Sequence, residues 1–232
     1  ESAIIDYVNS LNKEVVSIDI PSGLFCDDNS SNNLNRCVKA SRTFTIQYPK
    51  LCFMFPEIQQ NVGNVHIISI GLDESIIEST HVANYYVEKG IVHFKKRDRF
   101  AYKNNYGHTL VIAGSKGKIG ANILATNAVL RMGAGLVTSC VPRGGACVIH
   151  TTIPEAMVHE CSNEMFLNEL PLLDTFSTIC VGPGIGKHEE TCKLIELLLA
   201  EWRKPLIMDA DALNILAEHE HWLYKIPSRS II

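Results

Sequence analysis

Four short segments carry the side chains best placed to do chemistry, and each follows an apolar run: Asp19-Ile20-Pro21-Ser22-Gly23, the loop 114–120, the loop 182–186, and Asp209 to Asn214. Asp19 stands between Ile18 and Ile20, where a carboxylate needs a partner or a function. Ser22 can serve there as a turn residue alone. Loop 114–120 places Gly114, Gly117 and Gly120 just before a helical pattern. Glycine lets a backbone approach a ligand closely, and a helix start offers free N–H groups to an anion. The spacing is neither Gly-x-x-x-x-Gly-Lys-Ser/Thr nor Gly-x-Gly-x-x-Gly, so a plain tight turn stays open as a reading. Gly182-Pro183-Gly184-Ile185-Gly186 is sharper, because a turn needs one such residue and three suggest room for a ligand. Asp209 and Asp211, two apart at a strand end, are expected on opposite faces, and Asp211 has an alternative role as cap of a helix starting at Ala212.

Other catalytic arrangements are excluded by spacing. The nine histidines are scattered, and no His-x-x-x-His pair supports a metalloprotease. Ser115 lies in a strand-to-helix turn, but Gly-Ser-Lys-Gly is not the Gly-x-Ser-x-Gly of a hydrolase nucleophile.

The elements that must hold these segments alternate. Residues around Ala3, Ile4, Ile5, Val8 and Leu11 predict a helix, and strands are predicted over 15–20, 43–46 and 65–70. From residue 107 the pattern predicts a strand over 110–113 and a helix over 121–132. That helix has apolar residues 121, 124, 125, 128, 129 and 132 on one face. Strands 136–141 and 178–181, a helix 189–202 and a strand 205–208 follow. Strand–helix alternation predicts an α/β fold with a largely parallel sheet. In such sheets ligands bind beyond the carboxyl ends of the strands, where the four segments fall. Residues 74–100 mix short apolar pieces with charge and read as a linker. The start inside a helix and the close at Ile231-Ile232 both read as cuts through a fold.

Composition narrows the function classes. Of 232 residues, 46% are hydrophobic and 20% charged, and the formal net charge is −4. No basic stripe marks a nucleic-acid partner, and Lys95-Lys96-Arg97 reads as a solvated linker run. The eight cysteines form no Cys-x-x-Cys pair, and several lie in apolar runs as small hydrophobes. A reducing, cytoplasmic setting is expected. No apolar stretch approaches the ~20 residues that span a bilayer, and no signal peptide is seen.

Taken in order, the segments resemble the bifunctional NAD(P)H-hydrate epimerase/dehydratase family. VVSIDIPSGL (15–24), ASRTFTIQYPKLCFMFPE (40–57) and VGNVHIISIGL (62–72) are similar to its epimerase half. GHTLVIAGSKGKIGANILATNAVLRMGAGLVT (107–138), PEAM (154–157), VGPGIG (181–186) and LIMDADALN (206–214) are similar to its dehydratase half. The resemblance implies the C-terminal part of a Rossmann-like epimerase domain over 1–73, a linker over 74–100, and the N-terminal part of a ribokinase-like dehydratase domain over 101–232. The implied activities are interconversion of the R and S hydrates of NADH or NADPH, and removal of water from the S form using ADP or ATP with magnesium. Asp19 is then the epimerase catalytic and substrate residue, and Ser22 a ligand of a potassium ion. Ala121, Gly184, Gly186, Asp209 and Asn214 are implied to meet the hydrate or nucleotide. The implied partners are small molecules, with no nucleic acid or membrane, and a homo-oligomer is compatible with this.

Three departures stand out. Tyr102-Lys103-Asn104 replaces the family's His-Lys-Gly, and neither its Gly-Asn-Asn-Gly-Gly-Asp-Gly loop nor its Gly-Thr-Gly-Asp run, whose last Asp is the expected base, occurs in the 232 residues. The stretch by itself is therefore expected not to dehydrate the hydrate. Two alternatives remain. One is a ribokinase-like small-molecule kinase, which has no reason to carry Asp19-Ile20-Pro21-Ser22-Gly23. The other is a non-catalytic nucleotide-binding protein derived from the family.

Overall fold

The computed structural model describes residues 2–11, 13–87 and 96–232, and divides into two units, Glu1–Lys95 and Lys96–Ile232. The first holds α1 (Ser2–Ser10), β1 (Val16–Ile18), β2 (Arg42–Ile46), α2 (Gln59–Val62), β3 (Asn64–Ile68) and α3 (Glu74–Ser79). Its three strands are parallel in the order β1-β2-β3, with Ile18 beside Phe44 and Phe44 beside His66. A small core of Leu24, Cys37, Ile58 and Val62 forms from α2 and the connecting segments rather than from the strands. Gly63 is required between α2 and β3: at φ +56 a Cβ would lie 2.2 Å from the Ser41 carbonyl oxygen. The predicted linker contains α3, and its residues 88–95 lie outside the described residues.

The second unit runs β4 (His108–Ile112), α4 (Ile119–Arg131), β5 (Leu136–Val141), α5 (Gly145–Thr152), β6 (Met157–Glu160), β7 (Thr178–Val181), α6 (Glu189–Glu201), β8 (Leu206–Met208) and α7 (Asp211–Glu218). The five strands are all parallel, in the order β6-β5-β4-β7-β8. Ile231 adds a parallel bridge to Ile207. Leu110, Ile112, Ile179 and Val181 are sealed beneath α6 and α7 through Leu194, Ile195, Leu198, Ile215 and Leu216. Burial of both faces makes β4 a continuous apolar run over Leu110 to Ile112, whereas β7 buries one face fully and the other, with Thr178 and Cys180, only in part.

Three differences from the sequence expectation have physical causes. The weakly patterned α5 and the short edge strand β6, which carries His159 and Glu160, give no strong periodic signal. Lys95 of the basic run lies outside the described residues, but Arg97 is not merely solvated. It sits 4.6 Å over the Tyr106 ring and donates to the Gly133 carbonyl at 2.8 Å. Lastly, the apolar face of α4 meets the core only in part: Ala125 and Val129 pack against Val111, Ala113 and Val137, while Leu124 and Met132 are 73% and 65% exposed.

What α4 buries is polar. Asn122, Thr126 and Ser139 are fully buried together. Asn122 Nδ2 donates to the carbonyls of Ala113 (2.9 Å) and Cys140 (3.2 Å). Its Oδ1 accepts from the hydroxyls of Thr126 (3.0 Å) and Ser139 (2.8 Å), which stand 2.7 Å apart. This network pins α4 to the ends of β4 and β5.

Candidate functional site

After β4 the chain crosses to β5 on one side, and after β7 it crosses to β8 on the other. The loops that follow two such strands part, and the gap between them is where a parallel sheet takes a ligand. Loops 114–120 and 182–186 are those loops. The Gly114 N–H donates to the Pro183 carbonyl at 2.8 Å, and Ser115 Oγ donates to the Gly184 carbonyl at 2.8 Å. Ala121, in the first turn of α4, faces Gly184 so closely that a Cβ on Gly184 would lie 2.9 Å from the Ala121 Cβ.

Asp211 joins the third segment. It is the first residue of α7 and not its cap. That position belongs to Ala210, which makes no side-chain cap bond. The carboxylate instead accepts from the Gly186 N–H (2.8 Å) and from Asn214 Nδ2 (3.4 Å), and pairs with Lys118 Nζ at 3.9 Å. Asp211 thus ties all three loops together. Asp209, exposed, turns elsewhere, its Oδ1 accepting from the Ala210 N–H at 2.7 Å. Between the two acids Ala210 is held at φ 50°, ψ −119°, a left-handed conformation uncommon for a residue with a Cβ. The glycines divide in role. Gly182, at φ +131, is structural, since a Cβ there would lie 1.8 Å from the Asp209 carbonyl oxygen. Cβ atoms on Gly117, Gly120 and Gly186 would meet nothing within 4 Å.

The start of α4 is open to an anion. Lys118 is its N-cap and makes no side-chain cap bond, which leaves N–H groups for a ligand, with Lys116 and Lys118 adding positive charge. By contrast, α5 is closed by its own chain: Glu160 Oε1 accepts from the N–H groups of Gly144 (2.8 Å) and Ala146 (2.9 Å).

Beside the crevice lies a cavity of about 670 Å³, lined by the exposed apolar face of α4 together with Cys180, Pro183, Ile207 and Asp209. Ala121 and Asp209 thus line it, while Gly184, Gly186 and Asn214 lie outside its wall. Burial pushes the Cys180 thiol up, and the nearby Asp209 charge adds to this, so Cys180 stays protonated near neutral pH.

In the first unit Asp19 directly follows β1 at φ 65°. Its Oδ1 pairs with Lys50 Nζ at 2.8 Å and accepts from the Ile46 N–H at 3.0 Å and from Thr45 Oγ1 at 3.3 Å. The Lys50 hydrogen bond, helped by the Ile46 N–H, holds the carboxyl below its ordinary value, against a small desolvation effect. Asp19 therefore has both a partner and accessible oxygen. Ser22 is exposed and its carbonyl accepts from the Val38 N–H at 2.9 Å. Its hydroxyl is one oxygen that a cation could take, and hard cations need several. Sequence reasoning passed over Lys50, Lys118 and the tying role of Asp211. Lys50 is paired across 31 positions of sequence, for which no local pattern exists.

The family model for NAD(P)H-hydrate dehydratase matches residues 109–232, and that for the YjeF-related protein N-terminus matches residues 1–52. The bifunctional NAD(P)H-hydrate repair enzyme Nnr of Coxiella burnetii is 33% identical, the match covering 95% of this chain and 45% of that protein. The enzyme of the same name from Moorella thermoacetica is 31% identical, over 93% of this chain and 42% of its own length. The chain thus spans less than half the length of these relatives. A ribokinase-like superfamily protein from Enterococcus faecalis, 25% identical, superposes with a TM-score of 0.51 over 60% of this chain and 52% of that one.

Proposed function

Because the chain belongs to the NAD(P)H-hydrate dehydratase family, we propose that its protein repairs hydrated NADH and NADPH. Residues 101–232 serve nucleotide-dependent dehydration of the S hydrate, residues 1–73 serve R/S epimerisation, and 74–100 link them. The observation that carries this reading is the meeting of loops 114–120, 182–186 and 209–214 at the uncapped start of α4. Phosphate groups of the nucleotide or the hydrate are held by the α4 N–H groups with Lys116 and Lys118. Gly184 and Gly186 allow close approach, Ala121 bounds the site, and Asp209 and Asn214 meet the substrate or nucleotide. Dehydration is assisted when the terminal phosphoryl group of ADP or ATP passes to the departing hydroxyl.

Asp209 fits magnesium, which takes one or two carboxylates beside substrate phosphates. Its second oxygen has no hydrogen-bond partner among the described residues. In the epimerase half Asp19 is the catalytic residue, oriented by Lys50 and Thr45. Ser22 contributes at most one ligand to potassium, and no step is assigned to that ion. No helix among the described residues is long and apolar enough to cross a membrane. A cytoplasmic setting and small-molecule partners complete the proposal.

Calorimetric titration with ADP, ATP with magnesium, and the NADPH hydrate tests this reading. We expect a saturable hydrate site in residues 101–232, weakened about tenfold or more in Asp211→Ala, because a charge-assisted hydrogen bond of ~1.5–3 kcal/mol holds the Gly186 loop. Nucleotide binding without hydrate binding would favour a small-molecule kinase. Binding of neither would refute the site.

A further inference from the structure

We infer that Cys140, His159 and Cys161 form a binding site for one divalent cation of the zinc type, apart from the crevice between β4 and β7. In the parallel ladder Cys140 of β5 is the register partner of His159 of β6. Side chains two apart on a strand share a face, so Cys161, just past β6 and still bonded through its N–H to the Val141 carbonyl at 2.9 Å, joins them. One potential ligand atom from each residue lies within 4.8 Å of the other two. The two sulfurs are 3.8 Å apart. Two thiolates bound at ~2.3 Å to one tetrahedral zinc ion stand about 3.8 Å apart.

The simpler reading is a pair of reduced thiols packed in the core. Both sulfurs do approach the Glu169 carbonyl, at 3.8 and 3.5 Å. That accounts for the sulfurs but not for the imidazole, whose Nε2 is buried with no hydrogen-bond partner. Buried polar atoms are nearly always satisfied, and a metal ion satisfies this one. Charge selects the kind of ion. Two thiolates and a neutral imidazole cancel a 2+ cation, whereas a monovalent soft ion would leave a buried negative charge, which is costly. Binding replaces the two thiol protons, which leave to solvent. The fourth position goes to water, which reaches the site past the partly exposed His159. The ion would fasten edge strand β6, whose only strand partner among the described residues is β5, to the sheet.

Titration of the reduced, metal-free protein with cobalt(II), followed by zinc, tests the assignment. We expect one cobalt per chain, with a sulfur-to-cobalt charge-transfer band and the visible bands of tetrahedral cobalt. Zinc should abolish both. Cys161→Ser and His159→Gln should lose the signal, whereas Cys147→Ser and Cys192→Ser should keep it. Tryptophan fluorescence of each variant checks its fold, and zinc-induced thermal stabilisation of the unmutated protein gives a readout that needs no variant. Absence of a saturable cobalt signal in the unmutated protein, its survival in His159→Gln, or a Cys140–Cys161 disulfide in the isolated protein would overturn the site.

Discussion

Replacing Asn122 with alanine tests whether the polar network under α4 is what holds the site in place. The substitution removes two donated hydrogen bonds and the oxygen that accepts two more, all fully buried. The hydroxyls of Thr126 and Ser139, 2.7 Å apart, can satisfy one proton between themselves. That leaves the Ala113 and Cys140 carbonyls and one hydroxyl without their partner. Each buried orphan costs ~1–3 kcal/mol. Allowing for water entry as α4 shifts, about 4 kcal/mol is expected. Both tryptophans, Trp202 and Trp222, are buried in the second unit, so their fluorescence during urea unfolding reports on that unit alone. With a slope of ~2 kcal/mol per molar urea, the midpoint should fall by about 2 M. Adding Ser139→Ala should cost less on the Asn122→Ala background than on the parent, because the hydroxyl has already lost its acceptor. A midpoint shift below about 0.25 M, or strict additivity of the two substitutions, would refute the reasoning.

Other outcomes follow from single positions. Ala210→Gly should raise stability by ~1 kcal/mol, because strain at a left-handed non-glycine residue is ~1–3 kcal/mol and the entropic cost of glycine is smaller; a lower thermal midpoint would count against this. Gly182→Ala should cost more than ~3 kcal/mol, since its Cβ would strike the Asp209 carbonyl. Gly120→Ala, within α4 and open on all sides, should stabilise the fold by ~0.5–1 kcal/mol and still weaken nucleotide or hydrate binding; unchanged affinity in calorimetry would place the ligand elsewhere. The depressed pKa of Asp19 contributes stability above its ordinary value of 3.8, which is lost as pH falls through the folded value. The contribution is small, because the carboxylate is 38% exposed. In Lys50→Met the Asp19 carboxyl should titrate closer to 3.8, as followed by carbon NMR, and an unmoved titration would contradict the pairing.

The strands and loops of the second unit were legible because fully buried parallel strands are unbroken apolar runs and the turns after them carry glycine. Leu110 to Ala113 and Gly182 to Gly186 show both signals. The ring of site loops followed from topology alone, once strand ends were placed. What stayed hidden depended on partners distant in sequence. The Asp19–Lys50 pair and the bond from Gly186 to Asp211 join segments that no period connects. The orientation of α4 was misleading for another reason: its apolar stripe lines an open cavity, while Asn122 and Thr126, polar in sequence, face the sheet. Gly182 looked like ligand space and proved to be a point of backbone contact.

The central position of β4 has a consequence for synthesis on the ribosome. One edge of β4 is covered as soon as β5 emerges, but the other waits for β7, which begins at Thr178. That is about 65 residues after Ile112, or ~3–13 s at a translation rate of ~5–20 residues per second. Throughout that interval Leu110, Val111 and Ile112, destined for complete burial, present an unpaired apolar strand edge, a template for pairing with other chains. The nascent chain is therefore most in need of a holding chaperone between the emergence of β4 and that of β7, and pauses in translation over residues 113–177 lengthen its exposure.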